Sequence, residues 1–330
     1  MIEHSWCKYI FSGIINRMVL YHIIFYAALF FVLCMGAGLI ISGVDVFSKR
    51  LKISAFASSF FVLGLLTSIP EFAVGMTAIV EQKPDIFVGN LLGGIPVLFL
   101  LVIPLLAIIG RGVKINHGIS SVNLLLAFGV IAAPAIASFD RSVSNAEGVI
   151  CIVLYVLLFF VLEHNKGVMS LANQKSKTKK SLSGSMMIKI IVGTLLVFVS
   201  SHFILGETLY FAKLLRVAPY YASLILLALG TNIPELSLAV RSALVGKKDI
   251  AFGDYMGSAA ANTLLFGIFT LFIHGETFHI DDFLTTFIGV VGGLAIFYFF
   301  SISKKEISRL EAVCLVGLYG AFIWFEFFGG

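Results

Sequence analysis

The stretch "TSIPE" at Thr67–Glu71 recurs as "TNIPE" at Thr231–Glu235, and each copy sets a proline and a glutamate inside a long apolar run. Proline lacks the amide hydrogen that the interior of an α-helix needs, so both runs are predicted to kink or break here. A charge at the centre of a bilayer costs about 2.5–3.5 kcal/mol or more, which marks each glutamate as a candidate functional residue.

The similarity extends well beyond these five residues. When Glu71 is aligned with Glu235, an offset of 164 residues, "LLTSIPEFAVGMTAIVEQKPDIFVGNLLGG" from Leu65 faces "LGTNIPELSLAVRSALVGKKDIAFGDYMGS" from Leu229. Ten of the thirty positions are identical, including Ile-Pro-Glu, Lys-x-Asp-Ile and two glycines in the same phase. Unrelated membrane helices readily share leucine and valine, but they do not share a Pro-Glu pair with phased glycines. We therefore interpret the two stretches as an internal repeat.

The composition indicates a membrane protein. The 330 residues are 59% hydrophobic and 12% charged, with a mean hydropathy of +1.03, which is too little charge to cover a soluble globule of this size. Transmembrane strands would show alternating patterns over about 10 residues, whereas these runs are continuously apolar. Runs that approach the roughly 20 residues of a bilayer span occur at 20–43, 54–80, 86–109, 119–138, 148–163, 187–206, 219–245, 250–273, 283–302 and 310–328.

The positions of the basic residues predict the orientation. Of the 23 lysines and arginines, 17 lie in or beside the first, third, fifth, seventh and ninth loops. The positive-inside rule places these odd-numbered loops in the cytoplasm and both termini outside. The chain is therefore expected to be a multi-pass protein of the cell membrane. The net charge of +5 belongs to these loops, and no nucleic-acid partner is expected.

Five spans in each half is an odd number, so the second half is expected to lie upside down relative to the first. The predicted fold is an all-α integral membrane protein with ten transmembrane helices in two inverted five-helix repeats. Its segments are an N-terminal segment at 1–19, the first repeat at 20–163, a basic cytoplasmic linker at 164–186 and the second repeat at 187–330. Inverted repeats are typical of secondary transporters, which hold their ions near the bilayer midplane.

The repeated motif supplies hard oxygen ligands. Thr67 precedes Glu71 by one helical turn, as Thr231 precedes Glu235, so hydroxyl and carboxylate share a helix face. Each proline is also expected to leave a carbonyl oxygen without its helical partner. No cysteine or histidine lies in either motif, which favours Ca²⁺ or Na⁺ over Zn²⁺ or copper. Two carboxylates can neutralise one divalent ion, two monovalent ions or two protons.

These residues resemble the cation/calcium exchanger superfamily, whose sodium/calcium exchangers carry paired G-T-S-x-P-E motifs followed by G-N-x-x-G-S-N-x-x-N/D. The resemblance covers both repeats and, through the ten-span layout with a basic central loop, essentially the whole chain. It implies that spans 2, 3, 7 and 8 surround the ions and that two glutamates bind Ca²⁺ in competition with Na⁺ or H⁺. The metal ligands that it implies in this chain are Glu71, Glu235, Thr67, Thr231, Ser68, Asn232, Ser258 and Asn262.

The chain departs from the family pattern at several of these places. Asn232 stands where the family has a serine, and Gly94 replaces the serine of the first repeat. Late in the two motifs the chain has Leu98 and Asn262 where the family usually has an asparagine and an aspartate. Asp254, where asparagine is more usual, is expected to cap its helix. The divalent site is expected to survive these changes, while coupling to Na⁺ is expected to be weak or absent.

We interpret the chain as a secondary antiporter that moves Ca²⁺ against Na⁺ or H⁺ by alternating access, without a cofactor. One alternative is a cation channel with Glu71 and Glu235 at a charged constriction; another is an exchanger of altered selectivity that is not coupled to Na⁺. An enzyme is disfavoured because no nucleophile, base and acid are found together outside the membrane. The expected partners are inorganic cations and the lipid bilayer, with a single chain as the transport unit.

Two further stretches suggest other sites. "HGETFHIDD" at 274–282 gathers histidines and acidic residues, but its spacing fits no standard zinc pattern, so a solvated loop is the favoured interpretation. "GVVGG" at 289–293 follows no strand and is interpreted as small residues for close helix packing rather than a phosphate-binding turn.

Overall fold

The computed structural model describes residues 3–48, 60–61, 64–114, 120–164, 184–236, 239–240, 248–273, 283–303 and 306–328. The predicted loop at 274–282 and the basic linker from 165 to 183 lie outside these residues.

The described part of the first half of the chain is mainly helical. Its helices are α1 (Glu3–Ser48), α2 (Gly64–Thr67), α3 (Ile69–Val80), α4 (Pro84–Pro96), α5 (Ile103–Gly110), α6 (Ser121–Ala137) and α7 (Asn145–His164). A π-helical stretch, Val97–Val102, joins α4 to α5, so that the chain is continuously helical from the start of α4 to the end of α5. Ser120 caps α6, because its side chain accepts a hydrogen bond of 3.1 Å from the Asn123 amide.

The second half has a similar succession of helices. They are α8 (Gly184–Leu215), α9 (Pro219–Ala222), α10 (Ala228–Thr231), α11 (Lys248–Thr270), α12 (Phe283–Phe287), α13 (Gly293–Ser303) and α14 (Arg309–Phe328). In the described part of this half, the π-helical stretch Ser223–Leu227 joins α9 to α10, and Ile288–Gly292 joins α12 to α13.

Helices lie within all ten of the predicted apolar runs, but the helices of the described residues differ in length. Six are long and apolar enough to cross a membrane, at Arg17–Leu39, Pro84–Gly110, Asn145–Leu162, Met187–Leu215, Phe283–Ser303 and Arg309–Phe327. Three shorter apolar helices lie at Ile69–Val80, Ser121–Ala137 and Pro219–Thr231. The remaining run is occupied by α11, which begins with Lys248 and Asp249 and is the most polar of the set. The predominantly helical membrane architecture is thus confirmed.

Two long helices, α1 and α8, pack against each other in opposite directions. The Tyr26 and Thr208 hydroxyl groups lie 2.8 Å apart, and His22 Nδ1 lies 2.8 Å from Glu207 Oε2. Further along α1, Gly36 lies against Val197 of α8, so the partner's residue number falls as that of α1 rises. This antiparallel packing agrees with the opposite directions that the sequence predicts for spans one and six.

A short strand pair is the one departure from the predicted all-α fold in the described residues. Val113 pairs with Ile307 and Lys114 pairs with Glu306, in antiparallel register. Two residues per strand are too few to leave an alternating pattern in the sequence, which is why the prediction missed them. The pair ties the segment after α5 to the segment before α14, and the Arg309 Nε donates to the Ile108 carbonyl at 3.1 Å nearby.

The centre of the molecule lies around α11. This helix packs against α2, α3 and α4 from the first half, and also against α6 and α7. The π-helical stretch of Ser223–Leu227 packs against α4. The four segments that carry the repeated motifs are therefore neighbours in space.

Candidate functional site

The two glutamate motifs share one backbone conformation. The helix is interrupted at Ser68, with φ −81° and ψ 11°, and at Asn232, with φ −89° and ψ 13°. The Ser68 amide still donates to the Gly64 carbonyl at 3.1 Å, and the Asn232 amide donates to the Ala228 carbonyl at 3.3 Å. The predicted interruption is confirmed, and it falls two residues before each proline, because proline is preorganised for the first turn of the helix that follows.

Glycines bring the motif helices into backbone contact in matching pairs. A side chain at Gly93 of α4 would collide with the Leu224 carbonyl, and a side chain at Gly257 of α11 would collide with the Phe60 carbonyl. Gly93 and Gly257 are related by the offset of 164 residues, and so are Phe60 and Leu224. The repeat in the sequence is therefore also a repeat of tertiary contacts.

Glu235 lies in a short chain of hydrogen bonds that joins three helical segments. The Ser258 hydroxyl of α11 donates to Glu235 Oε1 at 3.1 Å, and the Ser68 and Ser258 hydroxyl oxygens lie 3.3 Å apart. The Ser68 hydroxyl carries one hydrogen, which can go to Ser258 and complete this chain or to the Gly64 carbonyl at 2.9 Å. Both serines and the glutamate are at most 1% exposed. Ser258 thus connects the carboxylate of one half to the helix break of the other.

Glu71 has no equivalent donor. Neither of its carboxylate oxygens has a hydrogen-bond partner among the described residues, although the residue is only 1% exposed. The position that corresponds to Ser258 is Gly94, which has no side chain to offer. The Thr231 side chain lies beside the Glu71 carboxyl group and supplies a polar neighbour from the other half. Carboxylates and hydroxyls from both halves are thus interleaved.

Two asparagine side chains fill the space next to Gly94. A Cβ atom at Gly94 would lie 2.9 Å from Asn262 Nδ2 and 3.3 Å from Asn232 Nδ2. Asn232 Nδ2 donates to the Ala228 carbonyl at 2.8 Å, and Asn262 Nδ2 donates to the Leu91 carbonyl at 3.4 Å. The Oδ1 atoms of both asparagines are buried and lack hydrogen-bond donors among the described residues. The larger side chain at 232 therefore occupies room that the glycine at 94 leaves open.

All eight residues predicted for the site are buried, with exposed fractions between 0 and 7%. The structure brings Ser68, Glu235 and Ser258 into one hydrogen-bonded chain, and it places Asn232 and Asn262 together beside Gly94. The Thr67 hydroxyl donates to the Gly64 carbonyl at 3.1 Å. The side chain of Asp254 and the acidic loop at 274–282 lie outside the described residues.

One buried polar residue was missing from the predicted set. Asn90 of α4 is 0% exposed, and its Oδ1 accepts a hydrogen bond of 3.2 Å from the Thr231 hydroxyl. The sequence contained a signal for it, since Asn90 directly follows Gly89, one of the phased glycines that line up with Gly253 in the second half. An amide between packing glycines in an apolar run faces a neighbouring helix and needs a partner there.

The chemistry of this region suits a hard cation. The unpartnered buried oxygens of Glu71, Asn232 and Asn262 are all acceptors, and a buried acceptor without a donor is destabilising. A cation supplies the missing positive charge, and carboxylate, hydroxyl and amide oxygens are the ligands that Ca²⁺ prefers. Among the described residues no group of three or more His, Cys, Asp or Glu side chains could hold a metal ion.

Comparisons with known proteins give a consistent result. The sequence profile of the family described as sodium/calcium exchanger protein matches residues 21–162 and 185–328. The chain is 23% identical to the sodium/calcium exchanger MaX1 of Methanosarcina acetivorans, over 89% of this chain and 97% of that protein. It is 24% identical to the inner membrane protein YrbG of Escherichia coli, over 74% of this chain and 80% of that protein.

The fold resembles that of a solved exchanger. A structure of the sodium-calcium exchanger NCX_Mj soaked with 10 mM Na⁺ and zero Ca²⁺ superimposes on this chain with a TM-score of 0.65. The two chains are 21% identical, and the match covers 92% of this chain and 98% of NCX_Mj. A second structure of NCX_Mj, soaked with 10 mM Na⁺ and 10 mM Sr²⁺, gives the same TM-score. At this identity the likeness bears on the fold alone.

Proposed function

Since this chain belongs to the sodium/calcium exchanger protein family, we propose that it is a secondary antiporter that moves Ca²⁺ across the cell membrane against Na⁺ or H⁺. Glu71 and Glu235 are its central ligands. The observation that carries the proposal is the cluster of buried oxygen acceptors, from both halves of the chain, around the two helix interruptions. The family is one of membrane ion exchangers, and no cofactor is required for such transport.

Charge balance explains why two carboxylates are needed. A divalent ion in a low-dielectric interior requires two negative charges nearby, and each carboxylate buried without a cation is costly. Glu71 and Glu235 together match one Ca²⁺. When that ion leaves, two monovalent cations or two protons restore neutrality. Because the empty, doubly charged site is costly, release of one ion is coupled to binding of the other, and the protein exchanges ions instead of letting Ca²⁺ leak through.

Hydroxyl and amide oxygens complete the proposed ligand set. They come from Thr67, Ser68, Thr231, Asn232, Ser258 and Asn262, all of which are buried in the same region. In the second half, Ser258 holds Glu235 through a donated hydrogen bond, so ion entry must rotate this hydroxyl away from the carboxylate. In the first half, Glu71 is already unpartnered and presents both oxygens to an ion directly.

The architecture that serves this function is proposed to be ten spans in two inverted five-helix repeats. The matching backbone contacts of Gly93 with Leu224 and of Gly257 with Phe60 support this arrangement. The antiparallel packing of α1 and α8 supports the inversion, because equivalent spans in the two halves must run in opposite directions. Alternating access is then a rearrangement of one group of helices around a site that lies between the repeats.

The proposed orientation has odd-numbered loops in the cytoplasm and both termini outside. The strand pair of Val113–Lys114 with Glu306–Ile307 supports it, because it joins the third and ninth loops and so places them on the same side. The rings of Phe139, directly after the fourth span, and Phe287, near the start of the ninth span, are also in contact. This contact supports a common side for the fourth and eighth loops, opposite to the strand pair. Labelling of single cysteines placed in the linker at 164–186 tests this orientation: reagent confined to the outside of the cell must fail to reach them.

Uptake of radioactive Ca²⁺ into proteoliposomes tests the function and separates it from the channel alternative. Vesicles are loaded with Na⁺, with acidic buffer, or with neither, and the initial rate of uptake is measured. An antiporter requires a counter-ion on the far side, so uptake must be faster in one of the loaded preparations than in the unloaded one. Equal uptake in all three preparations, following the membrane potential alone, would indicate a channel.

A further inference from the structure

A fully buried asparagine outside the proposed ligand set holds the hydroxyl of Thr231. Asn90 lies on α4, in the first half of the chain, and Thr231 ends α10, in the second half. The Thr231 hydroxyl donates to Asn90 Oδ1 at 3.2 Å, and both residues are 0% exposed. Asn90 Nδ2 has no hydrogen-bond partner among the described residues. A buried amide with an unpartnered N–H group is costly, so its presence here calls for an explanation.

A threonine hydroxyl can bind a cation only when its hydrogen points elsewhere. The oxygen must direct a lone pair at the ion, so the hydrogen needs a separate acceptor. Besides the neighbouring Glu71 carboxyl group, which the proposed cation would occupy, the Thr231 hydroxyl has two acceptors within reach: Asn90 Oδ1 at 3.2 Å and the Ala228 carbonyl at 3.4 Å. The Ala228 carbonyl already accepts the Asn232 amide at 2.8 Å. Asn90 therefore provides the acceptor that is not already in use.

Close packing fixes the position of this acceptor. Gly89 and Gly93 flank Asn90 on α4, and side chains at these two glycines would collide with Ser223 and with the Leu224 carbonyl. The helix that carries Asn90 is thus held in backbone contact with the segment that leads into Thr231. The backbone that carries Asn90 is therefore fixed relative to the segment that leads into Thr231.

We propose that Asn90 is a positioning residue that takes the hydrogen of the Thr231 hydroxyl and thereby turns the Thr231 oxygen toward the cation beside Glu71. This role rests on the proposed function of the site. The Thr231 side chain lies next to the Glu71 carboxyl group, so an ion held by that carboxylate meets the hydroxyl as its neighbour. In this role Asn90 acts through Thr231, whose hydroxyl hydrogen its Oδ1 accepts.

Variants at position 90 separate this role from simple packing. Asn90→Leu keeps the size of the side chain and removes the acceptor, whereas Asn90→Asp keeps an acceptor in the same place and has no N–H. Calorimetric titration of the purified full-length chain with Ca²⁺ is expected to show about tenfold weaker binding for Asn90→Leu, the effect of one lost hydrogen bond, and binding at least as tight as the wild type for Asn90→Asp. Asn90→Ala provides a second removal of the acceptor in case the leucine variant does not fold.

A double-mutant cycle with Thr231→Val tests whether Asn90 acts through the hydroxyl. Once the hydroxyl is absent, loss of the acceptor is expected to have no further effect on Ca²⁺ affinity. Additive losses at positions 90 and 231, or equal losses in Asn90→Asp and Asn90→Leu, would overturn the positioning role while leaving the antiporter proposal intact. Absence of Ca²⁺ binding in the wild-type chain would instead refute the proposed function, and the role of Asn90 with it.

Discussion

Single side chains make the two halves of the site unequal. Ser258 donates to Glu235, whereas its counterpart Gly94 has nothing to donate to Glu71. One turn later in each helix, Asn262 offers an amide and Leu98 offers only hydrocarbon. The second half therefore contributes more polar groups to the site than the first.

This inequality predicts different results from alanine at Asn262 and at Leu98. Asn262 has a buried Oδ1 without a donor, so its removal takes away a candidate ligand and should weaken Ca²⁺ binding by about tenfold. Leu98 is 0% exposed and packs in the core, so its removal should lower the free energy of unfolding by about 2–5 kcal/mol and leave ion affinity near the wild-type value. Calorimetry and thermal unfolding of both variants separate the two effects, and equal losses of affinity would contradict the inequality.

Gly94 and Asn232 are predicted to act as a compensating pair. A serine at 94 would crowd the Asn232 and Asn262 amides, which lie 3.3 Å and 2.9 Å from its Cβ position. Gly94→Ser alone should therefore cost about 1–3 kcal/mol in stability, as overpacked sites do. Gly94→Ser combined with Asn232→Ser should recover part of this loss, because the shorter side chain at 232 removes the 3.3 Å contact while the 2.9 Å contact with Asn262 remains. Denaturation of the single and double variants in detergent measures the recovery, and strictly additive losses would rule it out.

The sequence predicted the candidate ligands because their chemistry is unusual for their surroundings. A glutamate behind a proline in an apolar run is visible without a structure, and the repeat supplied the second copy. The partners of these residues were not visible. The Ser258 bond to Glu235 and the Asn90 bond to Thr231 join residues 23 and 141 positions apart, and only helix packing brings them together.

Whole helices were predicted well in position and less well in length. Ten apolar runs were expected and each contains helix, but α1 and α8 extend past the predicted runs, to Glu3–Ser48 and Gly184–Leu215. Hydropathy defines the part of a helix in lipid and does not define where the hydrogen-bonded helix ends. The π-helical stretch at Val97–Val102 was not predicted either, because its residues are as apolar as their neighbours.

Helix packing in the core predicts a large difference between two glycine-to-alanine changes. A Cβ at Gly257 would collide with the Phe60 carbonyl, so Gly257→Ala must push two helices apart and should destabilise the protein by about 1–3 kcal/mol. Gly129 on α6 has nothing within 4 Å of its Cβ position, so Gly129→Ala should stabilise by up to about 1 kcal/mol through helix propensity. Thermal unfolding of the two variants provides the comparison, and equal shifts would contradict the packing described for Gly257.

The molecule as a whole combines an exchanger fold with an incomplete set of family ligands. The family profile matches most of the chain, and the fold superimposes on NCX_Mj with a TM-score of 0.65. Within that fold, Leu98 and Asn262 replace an amide and a carboxylate that the family resemblance leads one to expect. Fewer oxygen ligands make it harder for several Na⁺ ions to recover their lost hydration.

Transport by the intact protein is therefore predicted to depend weakly on Na⁺ and to respond to a proton gradient. Protonation of Glu71 and Glu235 neutralises the site without any additional ligands. Ca²⁺ uptake into proteoliposomes is measured over a series of Na⁺ gradients at clamped pH, and then over a series of pH gradients without Na⁺. A steep, saturable dependence on Na⁺ with no response to the proton gradient would show that the substitutions do not change the counter-ion.

The number of Ca²⁺ ions bound per chain tests most directly whether Glu71 and Glu235 hold one ion between them. Calorimetric titration of the purified protein is predicted to give one Ca²⁺ per chain, and Glu71→Gln and Glu235→Gln are each predicted to abolish that binding without unfolding the protein, because one remaining carboxylate cannot balance a buried divalent ion. Unchanged affinity in either variant, or two independent Ca²⁺ ions per wild-type chain that are lost one at a time, would contradict a single shared site.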